Sequence, residues 1–233
     1  MKIKSLYGRF WELYYTSSNK SYIGYLRKKG VRIGNDVIFR SPRTTRIDIT
    51  RPSLVSIGNS VDINKYFQIL THDWCSRVFR NYYHDFVNSS GKVTIGNNIY
   101  FGTNVIVLKG ITIGDNCIIG AGSIVTKDIP ANSVATGAPC KVVCSLDSYY
   151  EKRKQKALDE AIEYVHSIKE RYGRKPKLTE MREEFIYFVD KHNINEYQDI
   201  PIKFQLDKGY DEWLKNHKAK FRSFDEFIDY CFK

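Results

Sequence analysis

Two His-Asp pairs stand close together in a chain of 233 residues: His72-Asp73 in T-H-D-W and His84-Asp85 in Y-H-D-F. Both fall within residues 71–92, T-H-D-W-C-S-R-V-F-R-N-Y-Y-H-D-F-V-N-S-S-G-K. Imidazole exchanges its proton near neutral pH. A positioned histidine can therefore take a proton from a hydroxyl whose own pKa is far higher, and so turn it into a nucleophile. The plain alternative is a loop histidine held by a backbone hydrogen bond. Zinc chemistry of the carbonic anhydrase kind needs three histidine ligands. Residues 31–144 offer only His72 and His84, and Cys140/Cys144 lack a second metal-like pair, so no metal is expected.

These residues interrupt a repeat that must position them. From Val93 to Val125 a bulky apolar residue recurs at every sixth position: Ile95, Phe101, Val107, Ile113, Ile119 and Val125. A smaller residue stands two places before each: Val93, Ile99, Val105, Ile111, Cys117 and Ser123. Residues two apart on a strand face the same way, so each unit reads as a short strand with two inward side chains. Gly or Asn follows, where a turn with φ > 0 is easiest. No helix has a period of six, and self-similarity at this spacing predicts a parallel β-helix. The repeat begins faintly at Val31/Ile33 and Val37/Phe39. It slips across Arg40–Pro52, where Ile47/Ile49 is the one good pair, and resumes at Val55/Ile57, Val61/Ile63 and Phe67/Ile69. Ile69 to Ile95 is 26 residues, which is not a multiple of six; one complete coil of 18 would leave 8 for a protruding loop. Solenoid insertions fall at corners and often carry function. Pro130 and Pro139 end the regular coils.

The fold class expected is mainly β: a β-helix over residues 31–144 with a loop at 71–92, an N-terminal helical cap over 1–30 and a helical extension over 145–233. In the first segment Tyr7, Phe10/Trp11 and Tyr14 mark one helical face, and Lys20–Lys29 predicts a second helix ending at Gly30. Such a pair could close one end of the solenoid; an amphipathic membrane-surface role is the alternative. In the last segment a helix is predicted over Leu146–Tyr172, with Ala157, Leu158, Ala161, Ile162, Val165 and Ile168 on one face and Gly173 as its stop. Phe185, Phe188 and Val189 suggest a second helix, and Tyr210–Leu214 and Phe224–Ile228 two short ones.

The net charge of +11 is carried by residues 1–144, because residues 145–233 contain 18 basic and 18 acidic side chains. Arg27-Lys28-Lys29, Arg40, Arg43, Arg46 and Arg51 supply much of it. A basic surface suits a polyphosphate, an anionic glycan or an anionic membrane face; a solubilising surface is the bland reading. Nucleic acid is not expected, since no nucleic-acid motif is recognisable. No apolar run approaches the ~20 residues that span a bilayer, and the start of the chain lacks an apolar secretion segment. With five cysteines, an odd number, these features point to reduced thiols and a cytoplasmic location.

The segments V-T-I-G-N-N-I-Y-F-G-T-N and I-T-I-G-D-N-C-I-I-G-A-G-S-I-V-T-K-D-I-P-A-N-S-V-A-T-G-A-P-C-K-V resemble the hexapeptide acyltransferases. The likeness spans residues ~31–143. Within the family it is nearest to the galactoside, maltose and capsular polysaccharide O-acetyltransferases. The tail motifs D-S-Y-Y-E-K-R-K and R-Y-G-R-K-P are similar to the helical C-termini of some capsule acetyltransferases. The resemblance implies a left-handed parallel β-helix, a hand that spacing alone does not give and that runs against the usual crossover rule. It implies an acetyl-CoA-dependent O-acetyltransferase acting on a sugar hydroxyl of a capsular or cell-surface polysaccharide or its precursor. It also implies a homotrimer with acetyl-CoA in the groove between subunits.

Site residues carry over from the resemblance one by one. His72 occupies the place of the loop histidine that serves as general base. Asp73 would orient its imidazole or bind the sugar; adjacent residues on an extended strand point apart, which favours the second role. Trp74, His84 and Asp85 are expected at the carbohydrate acceptor, with a structural role as the other reading of the His84 pair. Tyr100 stands where the family often has Trp, as a wall for the pantetheine arm. The Thr103 backbone N–H falls where the family donates to the thioester oxygen. Gly120, Ala121 and Gly122 leave room for pantetheine, Thr126 and Lys127 lie where the family contacts the distal part of CoA, and Lys141 could pair with its phosphates. Gly and Ala are also ordinary corner residues, and Lys127 could be merely solvated. G-A-G neither follows a long strand nor opens a helix, so it is no nucleotide fingerprint. A sugar-amine N-acetyltransferase on the same scaffold is the alternative activity, and a non-catalytic scaffold the alternative class. The charge asymmetry adds an expected peripheral contact with the inner membrane face.

Overall fold

The computed structural model describes residues 14–233. The chain forms two compact units that part between Tyr150 and Glu151. The helical face built on Tyr7, Phe10 and Trp11 lies outside the described residues.

The first unit is a parallel β-helix. Its strands are β1 (Arg32–Ile33), β2 (Val37–Phe39), β3 (Arg46–Ile47), β4 (Val55–Ile57), β5 (Val61–Ile63), β6 (Gln68–Ile69), β7 (Val93–Ile95), β8 (Ile99–Phe101), β9 (Ile106–Val107), β10 (Thr112–Ile113), β11 (Cys117–Ile119) and β12 (Ile124–Val125). Each coil places one strand in each of three sheets. The first sheet runs β1-β4-β7-β10, the second contains β2-β5-β8-β11, and the third runs β3-β6-β9-β12. Four coils are complete. A fifth begins where Ile129 bridges Ile113 and β13 (Ser133–Thr136) joins the second sheet; β14 (Lys141–Ser145) then returns antiparallel on β13.

The six-residue period becomes vertical stacking. Ile33, Ile57, Ile95 and Ile113 lie one above another, as do Phe39, Ile63, Phe101 and Ile119. All are buried. Burying a side chain of this size contributes about 1.5–3 kcal/mol, so the column is the main support of the fold. Ser123 is a polar member of the inward set. Its hydroxyl donates to Gly120 O at 2.6 Å and accepts from Gly137 N at 3.2 Å, which satisfies the buried group.

Corner chemistry matches the expectation that Gly or Asn takes φ > 0 at Asn98, Asn104, Gly110, Asn116, Gly122 and Asn132, and departs from it at the glycines that follow the first-sheet strands. The left-handed residues between the first and second sheets are Asp36, Ser60, Asn98, Asn116 and Asn132. Short polar side chains tolerate that conformation best after glycine. Here they also form a ladder: Asn98 Nδ2 donates to Asn116 Oδ1, and Asn116 Nδ2 to Asn132 Oδ1, both at 2.9 Å. The glycine two places earlier serves close stacking instead, since a Cβ on Gly96 would collide with Asp115 of the next coil.

The open first coil is closed by α1 (Asn19–Lys29), with Ser18 as N-cap and Gly30 in the left-handed region at its end. Its side chains take the place of a missing neighbouring coil. Asn19 accepts from Phe39 N at 2.8 Å and donates to Val37 O at 2.9 Å on β2. Arg27 donates to Ile33 O on β1 at 2.9 Å, and Tyr22 OH to Thr45 O beside β3 at 3.3 Å. All three exposed strand edges of the coil are thus engaged, which removes a template for edge pairing.

Two repeat assignments need correction. The inward pair in the slipped region is Thr45/Ile47, both buried, while Ile49 is only partly buried at the corner. No extra coil lies between Ile69 and Ile95. Ile69 stacks directly under Val107, and Ile57 under Ile95, so everything beyond a normal corner belongs to one excursion. Its residues supply no inward apolar pair; instead Ser76–Tyr83 forms helix α2.

The second unit has its own core. Helix α3 (Leu146–Tyr172), which begins just before this unit, buries Ala161, Val165 and Ile168 and stops at left-handed Gly173. Phe185, Phe188 and Val189 are buried in the same core, as the spacing suggested, but they sit on and just after a 3-10 turn, Glu184–Tyr187, and not in an α-helix. The chain then forms α4 (Ile202–Leu206), α5 (Tyr210–Asn216) and α6 (Phe224–Cys231). Phe188 packs on Phe224 and Phe227 with ring centroids 5.3 and 5.9 Å apart.

Candidate active site

Both insertions into the six-residue rhythm that follow a third-sheet strand fall at the same corner, in consecutive coils. After β3 the chain runs through Asp48, Thr50 and Arg51 before entering β4. After β6 it runs through Thr71 and His72 into the excursion and back to Gly91. Stacking of Ile47 on Ile69 brings the two irregular segments into contact.

The contact is a carboxylate–imidazole pair. His72 Nδ1 lies 2.6 Å from Asp48 Oδ2. The same oxygen accepts from the Thr71 hydroxyl at 2.5 Å and from Thr71 N at 3.2 Å; Oδ1 accepts from the Thr50 hydroxyl at 2.6 Å and Thr50 N at 3.0 Å. Asp48 is nearly buried, with 8% of its side chain exposed, and His72 retains 20%. Burial by itself would raise the Asp48 carboxyl. The hydrogen bonds from Thr50, Thr71 and His72 outweigh it and hold the group well below the usual carboxylate range. An ionised Asp48 makes Nδ1 the protonated nitrogen, which leaves Nε2 as the basic one. Among the described residues Nε2 has no hydrogen-bond partner. A histidine with one nitrogen fixed and the other open is arranged to accept a proton.

Asp73 does not meet the imidazole. Its Oδ1 accepts from Cys75 N at 3.0 Å, a turn that leads into α2, and its Oδ2 accepts from the Ser89 hydroxyl at 3.0 Å and from Lys109. Of the two roles read for Asp73, the orienting one finds no contact here: the neighbouring side chain on an extended segment points away, and the carboxylate against the imidazole is that of Asp48. Trp74 is 74% exposed. His84 ends α2 in the left-handed region, and Asp85 accepts from Phe86 N; neither is hydrogen-bonded to His72.

The residues expected around acetyl-CoA spread over the coils. Tyr100 projects outward from the middle of β8, and its hydroxyl accepts from Asn64 Nδ2 at 3.0 Å. Thr103 and Ala121 are exposed and stack at the corner that precedes the third sheet, where Gly122 N donates to Thr103 O at 2.8 Å. The Thr103 N–H has no partner among the described residues. Gly120 is required by the stack itself, since a Cβ there would stand 2.5 Å from Thr136 Oγ1. Thr126 and Lys127 are exposed at the corner after β12, on the same edge of the prism as His72. Lys141 is exposed on β14.

Asp48, Thr50 and Thr71 were not singled out from the sequence. The available signal was the slip across Arg40–Pro52: a second break in the repeat, containing a carboxylate and a hydroxyl, one coil before the break that carries His72.

Residues 92–127 match a family described as hexapeptide repeat of succinyl-transferase. The chain is 42% identical over 127 residues to Protein CapG of Staphylococcus aureus, a match covering 54% of this chain and 73% of that protein. It is 55% identical over 64 residues to the galactoside O-acetyltransferase of Escherichia coli strain K12; the match covers 26% of this chain and about a third (32%) of that enzyme's length. A crystal structure of a maltose O-acetyltransferase from Clostridium difficile 630 is 28% identical, with 60% of this chain and 84% of that one covered at a TM-score of 0.42. The six-residue stacking and the extent of the CapG match lead to one assignment: the chain belongs to the hexapeptide-repeat acyltransferases, a family of left-handed parallel β-helices.

Proposed function

We propose that this chain transfers the acetyl group of acetyl-CoA to a sugar hydroxyl of a capsular or cell-surface polysaccharide or its precursor, with His72 as general base. The observation that carries the reading is the Asp48–His72 pair, with Nδ1 committed and Nε2 open. In the proposed step Nε2 takes the hydroxyl proton as the acceptor oxygen forms its bond to the thioester carbonyl carbon. The carbonyl electrons move to oxygen, where the Thr103 N–H donates to them. When the C–S bond breaks, the sulfur leaves as thiolate and takes the proton from the imidazolium. The ester is released, and the base is restored. Asp48 remains ionised throughout, faces the imidazolium and lowers its cost. Tyr100, Ala121, Thr126, Lys127 and Lys141 bind the co-substrate, and Asp73, Trp74, His84 and Asp85 border the acceptor.

A homotrimer fits the spacing of these groups. Within one chain His72 and Thr103 stand at opposite edges of the third sheet, separated by one hexapeptide side of roughly 20 Å. Reacting atoms must approach to about 3–3.5 Å, so a base and an oxyanion donor so far apart can serve one thioester only if they come from adjacent copies. Light scattering together with activity tests this: a fully active monomer sinks it. No described helix is long and apolar enough to cross a membrane. A cytoplasmic enzyme that meets a lipid-linked acceptor at the inner membrane face accounts for the basic first unit. Unchanged activity on lipid-linked acceptor after neutralising Arg27, Lys28 and Lys29 counts against that contact.

The decisive experiment is acetyl transfer from labelled acetyl-CoA to a panel of glycans, with mass spectrometry locating the new bond. An ester on a sugar carbon, lost in His72→Ala, is expected. An amide, formed at similar rate with and without His72, identifies the amine-directed alternative, since an amine needs less help from a base.

A further inference from the structure

We propose that Lys109 and Arg51 are positioning residues for His72, holding the two ends of the 72–90 excursion together and thereby fixing the main chain that carries the imidazole. The inference rests on the reading of His72 as the base.

The neck of the excursion is a very short antiparallel ribbon. Gly91 N donates to Thr71 O at 2.9 Å, His72 bridges Ser90, and Asp73 N donates to Ser89 O at 3.3 Å. An isolated ribbon of two strands is marginal in water even when longer. The rest of the excursion gives it little support, because residues 77–88 are almost all exposed and Tyr82 is 75% exposed. Something outside the excursion must hold the neck.

Two cations from the flanking coils do so. Lys109, at the same corner one coil further on, donates to Asp73 Oδ2 and to Ser89 Oγ, one on each side of the neck. Arg51, one coil earlier, donates to Asn88 Oδ1 at 3.0 Å on the returning side. A charge-assisted bond to both sides opposes their separation more than a neutral one would. His72 occupies the first rung. Any opening of the neck therefore moves the imidazole, while leaving the Asp48 carboxylate anchored on its own coil. A displacement of one ångström can cost roughly 100-fold in rate.

The test combines amide hydrogen exchange with kinetics on the full-length chain. In Lys109→Ala, exchange at the Asp73 and Gly91 amides speeds up, kcat falls roughly 10- to 100-fold, and KM for acetyl-CoA stays unchanged. Lys109→Arg restores most of the rate. Arg51→Ala moves both readouts in the same direction by less. Unchanged exchange in Lys109→Ala overturns the clamp. Faster exchange with full kcat overturns its role in positioning. A raised KM for acetyl-CoA with kcat intact also overturns it, by making Lys109 a co-substrate contact. Retained activity in His72→Ala removes the base reading instead, while the exchange data still decide the clamp.

Discussion

The corner lined by Asn98, Asn116 and Asn132 and the corner that carries His72 are two edges of one β-helix and follow opposite rules. At the first, each coil repeats the one before it, and the side chains form a ladder parallel to the axis. At the second, consecutive coils differ: four extra residues after β3 face a long excursion after β6, and the bonds that join them link Asp48 and Arg51 to Thr71, His72 and Asn88. Repetition gives each residue a neighbour like itself, which suits packing. Catalysis needs unlike neighbours, a carboxylate against an imidazole, and a strict repeat does not provide them. The coils serve as a ruler, and the proposed site lies where its marks are broken.

Substitutions on the two sides should separate activity from stability. The largest effect expected is on His72→Ala, which should lower acetyl transfer roughly 10²- to 10⁴-fold with little change in melting temperature. A variant within tenfold of the parent would sink the assignment. On the repeating side Phe101→Ala empties a buried column position and should cost about 3–5 kcal/mol in denaturant unfolding. A cost below about 1 kcal/mol would mean that the stacked column is not the main support.

Asp48→Asn comes next. It keeps the shape but loses the charge that faces Nδ1, and charge-assisted bonds of this kind contribute about 1.5–3 kcal/mol. A fall of kcat by roughly 10- to 100-fold is expected, with KM for acetyl-CoA unaffected. An equal loss in Asp73→Asn with none in Asp48→Asn would restore Asp73 as the orienting group. Asp48 also links activity to acid stability. Its folded carboxyl lies below the unfolded value of about 3.9. The stability it contributes is therefore present above that value and lost as pH falls through the depressed one, and Asp48→Asn should flatten that part of the pH–stability curve.

Asn116→Ala removes two exposed ladder bonds and places alanine in the left-handed region, for a loss of about 1–2 kcal/mol and no change in kcat. A loss of rate without a loss of stability would break the contrast between the corners. The smallest effect expected is in the second unit. There the Arg174 fork, helped by the Lys177 N–H, holds Glu180 down to about 2. With the unfolded value at about 4.3, its contribution is present above that pH and lost as pH falls toward 2. Glu180→Gln should remove that acid-limb slope, as followed by the unfolding of α3, and leave acetyl transfer untouched.

Much of the fold is legible in the residues because the repeat averages over local ambiguity. A single V-T-I could be strand or helix, but six such pairs in register could not. The same averaging misleads where the repeat stops. Between Ile69 and Ile95 the period invited an extra coil, and only the stacking of Ile69 under Val107 shows that no coil is there. Ile47/Ile49 looked like an inward pair because both are apolar, yet Thr45 is the one buried beside Ile47. In the second unit, Phe185, Phe188 and Val189 suit an α-helix or a 3-10 turn equally well, since three- and four-residue spacings are common to both. His72 was legible as a candidate from its type and from its place in a break. Its partner was not, because Asp48 lies 24 positions away and the adjacent Asp73 offered a nearer carboxylate.

The residues alone determined the β-helix, its inward column, a helix over Lys20–Lys29 ending at Gly30 and the location of the excursion, because each follows from periodicity or from the local preferences of a few neighbouring side chains. The tertiary structure decided which carboxylate faces His72, which cations hold the neck, and that the two breaks share one corner. Those contacts depend on how many residues each corner inserts before the next strand resumes its register. That count sets which side chains of consecutive coils meet, and no residue carries the information by its type.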